Sequence, residues 1–168
     1  GRPTARRRLE AEDHGVVLRH GDGPDQCDKY GARDVWVFES DGSFYMHYDA
    51  AGPTGWLCCL AVSNDLIHWD KKGPILDLGQ PGEEDSKSAS YGVTYEEDGD
   101  WHLFYLGTPN TSPAPDRVPS FPYMTLKARS DSPAGPWTKQ KEVVPFRMKP
   151  GSYYETTASP GQVVKHAN

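Results

Sequence analysis

DVWVFESDGSFYMHYDA (residues 34–50) decides the fold, because the chain writes its pattern twice. After a loop comes LAVSNDLIHWDKKGPIL (60–76); then YGVTYEEDGDWHLFYLG (91–107) is followed by LKARSDSPAGPWTKQKEVV (126–144). Each copy reads as a strand, an acidic-Gly turn, an aromatic-rich strand, a third strand and a turn ending in Trp. The copies set Gly42 against Gly99, Phe44 against Trp101, Met46 against Leu103, Tyr48 against Tyr105, and Trp69 against Trp137. A repeated four-strand unit of this length is the sequence signature of a β-propeller blade.

Working outward, Asp41-Gly42 predicts a tight hairpin. The strand after it alternates Phe44, Met46 and Tyr48 with Tyr45, His47 and Asp49, as a half-buried strand does. The first blade is expected from about Arg33 to Leu76, with its inner strand at Val35–Glu39, a third strand at Trp56–Val62 and a fourth near His68-Trp69. The second has strands near 91–96, 101–106, 124–130 and 137–143. Residues 1–30 read as an irregular N-terminal lead-in. A polar loop, GQPGEEDSKSAS (79–90), enters the second blade, and TPNTSPAPDRVPSFPY (108–123), with five prolines, is inserted within it. Loops of that length are often functional. A third unit opens around Tyr154. Residues 31–168 therefore give about two and a half blades of an incomplete all-β domain, and two and a half blades cannot close a ring. The expectation is that the rest of the propeller lies on a longer chain or a second chain.

The 168 residues include 17 Gly and 15 Pro, as a turn-rich all-β chain requires, and no apolar run is long enough to span a bilayer. A net charge of -6 argues against nucleic acid as a partner and is compatible with a neutral ligand such as a sugar. The one sharp charge block, Arg6-Arg7-Arg8 before Glu10 and Glu12, reads as a solvated arm. Cys58 and Cys59 are adjacent in a strand and so point to opposite faces, leaving one bridge, to Cys27, open to either. Zinc-ligand spacing is lacking, so no metal site is predicted.

Ser63-Asn64-Asp65-Leu66-Ile67-His68-Trp69 resembles the Ser-x-Asp-Leu-x-x-Trp element of five-bladed β-propeller glycoside hydrolases. Ser130-Asp131-Ser132-Pro133-Ala134-Gly135-Pro136-Trp137 is similar to a variant of the same corner, and Gly42–Tyr48 to their repeating Gly-x-Tyr-Tyr-x-x-Tyr strand. The resemblance is to the N-terminal part of families 43, 32, 117 and 130. It implies a carbohydrate substrate, cleavage of a glycosidic bond in an oligo- or polysaccharide, and a funnel on the ring axis with carboxylates at the inner strands. No cofactor is implied as required, although a structural cation on the axis fits the family, and secretion or a periplasmic location follows from resemblance alone.

Such hydrolysis needs one carboxyl group to protonate the leaving oxygen and another to deliver water or attack C1. The resemblance places the general base at Asp34, a supporting acid at Asp85 and the general acid at Glu155. The relatives usually have Asp-Pro where this chain has Asp34-Val35; Asp85 lies upstream of the matching strand start, with Glu83 and Glu84 competing; and Glu155 stands five steps before Pro160. Arg33, Trp36, Trp56, His102 and Tyr123 are the candidates for binding substrate, by charge or by stacking on a sugar face. Two alternatives stand beside hydrolysis: a propeller that binds carbohydrate without cleaving it, and an interaction scaffold. Inverting action fits family 43 and retaining action family 32.

Overall fold

The computed structural model describes residues 12–115 and 117–164. The basic run Arg6–Arg8 and the final residues from Lys165 lie outside them. Among the described residues nine strands follow one 3-10 turn at Pro24–Gln26: β1 (Gly31–Ser40), β2 (Ser43–Gly52), β3 (Gly55–Ser63), β4 (Asp70–Pro74), β5 (Ser88–Glu97), β6 (Asp100–Thr108), β7 (Tyr123–Ser130), β8 (Thr138–Lys139) and β9 (Thr157–Ala158).

β1 to β4 form one antiparallel meander and β5 to β8 a second. Both hairpins turn where Asp-Gly predicts: Asp41 and Gly42 have φ of 50° and 75°, Asp98 and Gly99 of 55° and 87°. Two successive positive φ values match the right-handed twist of the flanking strands. The register of the two meanders agrees position by position. Gly31 pairs with Ala51 as Ser88 pairs with Thr108, and a β-bulge follows in each, between Arg33 and Val35 and between Ser90 and Gly92. The third strand of each blade then takes up the first strand of the next unit in parallel. Trp56 and Leu57 meet Ser88 and Ala89; Tyr123 and Met124 meet Thr157 and Ala158. The chain is thus two propeller blades and the opening of a third.

Leu103, Tyr105, Leu126 and Ala128, on one face of blade 2, pack with Leu57 and Cys58 of blade 1. The same face of blade 1 carries Met46, Tyr48, Cys59 and Ala61, and there the lead-in supplies the cover, through Cys27 and Leu18. Cys58 and Cys59 do face opposite ways, one in each cluster, and all three cysteines are free thiols.

Three expectations change. β2 is not half-buried: from Met46 to Gly52 both faces are buried, because blade 2 lies on one side and the lead-in on the other. The fourth strand of blade 1 begins at Asp70, after His68-Trp69, because Asp65 caps that corner through the amides of Ile67 and His68. The fourth strand of blade 2 is two residues long.

Candidate active site

The bulge in β1 sets the geometry around Asp34. Asp34 is the extra residue and adopts φ 46°, a left-handed conformation uncommon for non-glycine residues and more accessible to Asp than to most. Its side chain is 54% exposed. The preceding residue, Arg33, lies opposite Asp49 of β2, and its Nε reaches Asp34 Oδ2 at 3.2 Å and Asp49 Oδ2 at 3.7 Å. The guanidinium carbon sits 4.3 Å from the centre of the Trp56 ring, a cation–π contact that fixes its height above β3. The Tyr91 amide donates to Asp49 Oδ1 from the equivalent bulge in blade 2.

Asp49 was not among the residues expected to act. Its side chain is 3% exposed, and burial pushes the carboxyl up to about 7, against the opposing pull of the Tyr91 amide and of Arg33; the neighbouring charge of Asp34 raises it further. Tyr91 feels both acids, and its phenol is raised first by burial and then by Asp34 and Asp49. Tyr123 occupies in β7 the place Trp56 holds in β3, and the charges of Arg33 and Asp49 act on it. Arg33, Asp34, Asp49, Trp56, Tyr91 and Tyr123 therefore gather at one end of the strands.

The other residues expected in the site have partners outside this group. Asp85 is 5% exposed and is held by Lys139 of β8 at 2.5 Å and by the Tyr105 hydroxyl, which donates to it at 2.8 Å. Blade 1 repeats this contact: Asp28, fully buried, accepts from Lys71 of β4, and the Gly23 amide adds a hydrogen bond of 2.8 Å. The two Asp–Lys pairs occupy matching positions, because Ala61 is paired with Lys71 and Ala128 with Lys139. Asp85 therefore clasps its blade's outer strand. Glu155 stands two residues before β9, exposed, and its Oε2 accepts the Gly151 amide at 2.9 Å. The three carboxylates thus belong to three separate sets of partners.

Trp36 points between the blades and donates its Nε1 to the Thr94 carbonyl at 2.9 Å. His102 lies opposite Tyr95, near the Asp98-Gly99 hairpin, at the end of the strands remote from the bulge. It stacks on Tyr95 at 5.0 Å, as Tyr45 stacks on Phe38 in blade 1 at 5.6 Å, so the repeat makes it part of an aromatic blade face.

The proline-rich insertion stands at the bulge end of blade 2, where blade 1 has only Pro53-Thr54 between β2 and β3. It is folded: Thr111 bridges to Pro119, the Ser112 amide donates to the Val118 carbonyl at 2.8 Å, and Tyr123 donates its hydroxyl to the Pro119 carbonyl. Arg117 donates to the Pro53 carbonyl at 3.0 Å, which docks the insertion on blade 1. Among the described residues no group of three His, Cys, Asp or Glu could hold a metal ion, and no helix is long and apolar enough to cross a membrane.

No protein-family model and no curated protein matches the chain. Solved structures do. Zg3597, a family 117 glycoside hydrolase produced by the marine bacterium Zobellia galactanivorans, matches with a TM-score of 0.63 and 18% identity over 84% of this chain and 47% of its own. An endo-1,4-beta-xylanase from Bacteroides thetaiotaomicron VPI-5482 matches at 0.55, with 20% identity, over 70% of this chain and 39% of its own. A thermostable family-43 glycoside hydrolase gives 0.52 and 20% over 71% and 40%. The chain spans less than half the length of each. At such identities the likeness defines a fold, and the fold is the β-propeller of these glycoside hydrolases.

Proposed function

We infer that this chain is part of a five-bladed propeller that hydrolyses a glycosidic bond in an oligo- or polysaccharide, further residues supplying the remaining blades. The observation that carries the reading is Asp34. An exposed carboxylate held at positive φ in a bulge, beside a cation and an aromatic floor, is a conformation retained at a cost, and such costs concentrate at functional sites. In the proposed reaction Asp34 takes a proton from water as the water oxygen bonds to C1. Glu155 gives its proton to the glycosidic oxygen as the C1–O bond breaks. Tyr123 offers a ring face to the C–H groups of a sugar, Trp56 supports the Arg33 guanidinium, and Arg33 orients the sugar hydroxyls. Asp85 has no part in this scheme, since Lys139 and Tyr105 engage its carboxylate.

The test is a panel of glycosides and oligosaccharides given to the full-length protein, with Asp34→Asn as control. Turnover that Asp34→Asn abolishes while sugar binding persists supports the reading. The configuration of the released sugar, followed by NMR, then separates inversion from retention. Carboxyl groups about 6.5–9.5 Å apart go with inversion and about 5–5.5 Å with retention.

One observation favours a second reading, a propeller that binds carbohydrate without cleaving it. The bulge position that holds Asp34 in blade 1 holds Tyr91 in blade 2, and the register of β9 puts Pro160 there in the third unit. Neither can replace a carboxylate. Sugar binding with no turnover on any substrate would establish this reading in place of the first.

A further inference from the structure

Asp49 has no place in the reaction as written, yet its placement is unusual. It is a carboxyl group buried in the middle strand of a blade, where apolar residues belong. Its counterpart across the repeat is Leu106. Two groups satisfy it. The Tyr91 amide crosses from the next blade to Oδ1, and Arg33 Nε approaches Oδ2 at 3.7 Å. That same Nε lies 3.2 Å from Asp34, so one guanidinium is shared by a buried acid and an exposed one. The guanidinium carbon lies 4.3 Å from the centre of the Trp56 ring, which supports it beside both acids.

We propose that Asp49 is a positioning residue for Asp34: the charge on its buried carboxyl decides how much of the Arg33 guanidinium Asp34 receives, and so how freely Asp34 accepts a proton. This rests on the reading of Asp34 as a base. With Asp49 protonated, Arg33 serves Asp34 alone and the exposed carboxylate stays paired. Once Asp49 ionises, Arg33 is drawn inward and the carboxylate is released, now also facing a second negative charge. The groups facing Asp49 are Arg33 and Asp34 from β1, the Cys58 thiol from β3, Tyr91 from β5 and Tyr123 from β7. The Cys58 thiol is pushed well up by burial and by Asp49, and both phenols are raised. Neither the thiol nor the phenols ionise near neutrality, so Asp49 is the titrating member of the group there.

The experiment is a carbon-13 titration of the aspartate carboxyls in the full-length protein, alongside the pH profile of kcat/KM. One carboxyl should titrate near pH 7 and vanish in Asp49→Asn. The Asp34 signal should show an inflection at the same pH, lost in that variant. Asp34→Asn should move the Asp49 midpoint down, and Arg33→Gln should move it up by about one pH unit. The kcat/KM profile should carry a limb at that midpoint which Asp49→Asn removes, through kcat with KM little changed. A merely structural residue would lower the melting temperature and leave the shape of the profile alone. Titration of Asp49 near the ordinary carboxylate value of about 4, or an Asp34 signal blind to it, overturns the proposal. Absence of turnover on every glycoside sinks the hydrolase reading instead, and the titration still decides whether Asp49, Arg33 and Asp34 are linked.

Discussion

Lys139 lies beside Asp85 with its side chain only 15% exposed, so Asp85→Asn would leave a largely buried cation without its counter-charge. Breaking such a pair costs about 3–5 kcal/mol. Thermal unfolding of the variant should show a large fall in melting temperature, whereas Asp34→Asn, at an exposed site, should leave it nearly unchanged. His47 makes a second prediction at this scale. Burial drives its imidazole down to about 4 from 6.5, against the opposing pull of the Pro133 carbonyl, and its Nδ1 meets Thr94 Oγ1 at 2.7 Å. A histidine held neutral gives stability that is complete above pH 6.5 and is lost as pH falls from there towards 4. The loss is on the order of 3 kcal/mol. Asp49, raised to about 7, acts with the opposite sign: its burial weakens the fold as pH rises from about 4 to about 7. The two windows overlap, so the effects offset each other and the melting temperature of the native protein should change little across them. His47→Phe, which installs the residue blade 2 carries at Phe104, should unmask a fall in melting temperature as pH rises from about 4 to about 7, and Asp49→Asn a rise. At this scale the sequence was only partly readable. Asp34 could be read from its place before a strand, but the role of Asp85 could not, since its partner lies in a strand far along the chain. Asp49 escaped notice because strict alternation assigned it to a polar face that β2 does not have. An acid inside a strand otherwise filled with aromatics and alanines was the signal available.

At the scale of elements, the hairpins and the first three strands of each blade were legible, because Asp-Gly turns and alternating aromatics are local signals. The ends of the elements were less so: the Asp65 cap delays β4, and β8 is only two residues long. The bulges were invisible, since nothing in the composition announces an unpaired residue. Gly92 is where that matters most. A Cβ added there would lie 1.8 Å from the Phe104 carbonyl oxygen, so Gly92→Ala must push β5 from β6. Loss of cooperative unfolding is expected for it, while Gly161→Ala, with nothing within 4 Å, should leave the melting curve unchanged. The insertion supports a different forecast. Replacing residues 109–122 with Pro-Thr, the turn blade 1 uses, should preserve the β6–β7 pairing and weaken substrate binding, read as a rise in KM or sugar Kd of at least about tenfold if the insertion walls the pocket. An unchanged affinity would assign it a purely structural role.

Over the whole molecule, the repeat makes one asymmetry plain. The blade 2 face bearing Leu103, Tyr105, Leu126 and Ala128 is sealed against blade 1, whereas its counterpart on blade 1 has the lead-in as its cover. Val35 and Val37 on that side remain 53% and 39% exposed, and a recess of about 480 Å³ runs between residues 16–20 and β1. An apolar blade face of this kind is where a further blade of a closed ring packs. The chain also ties its own lead-in to blade 1 through Lys71, which donates to Asp28, Asp22 and the Arg19 carbonyl. Lys71→Met should loosen that strap and increase binding of a hydrophobic dye without abolishing the blade. Equal dye binding by the two proteins would mean that apolar packing alone holds the lead-in.

The order of synthesis gives the strap a role in time. The lead-in leaves the ribosome before blade 1, and any later blade leaves it after both. While the nascent chain is incomplete, the apolar surface around Tyr48 and Cys59 would otherwise face the crowded cell bare. The lysine-tethered segment already lies over that surface, so a chain cut short after blade 1 should expose less apolar area than a bare blade would.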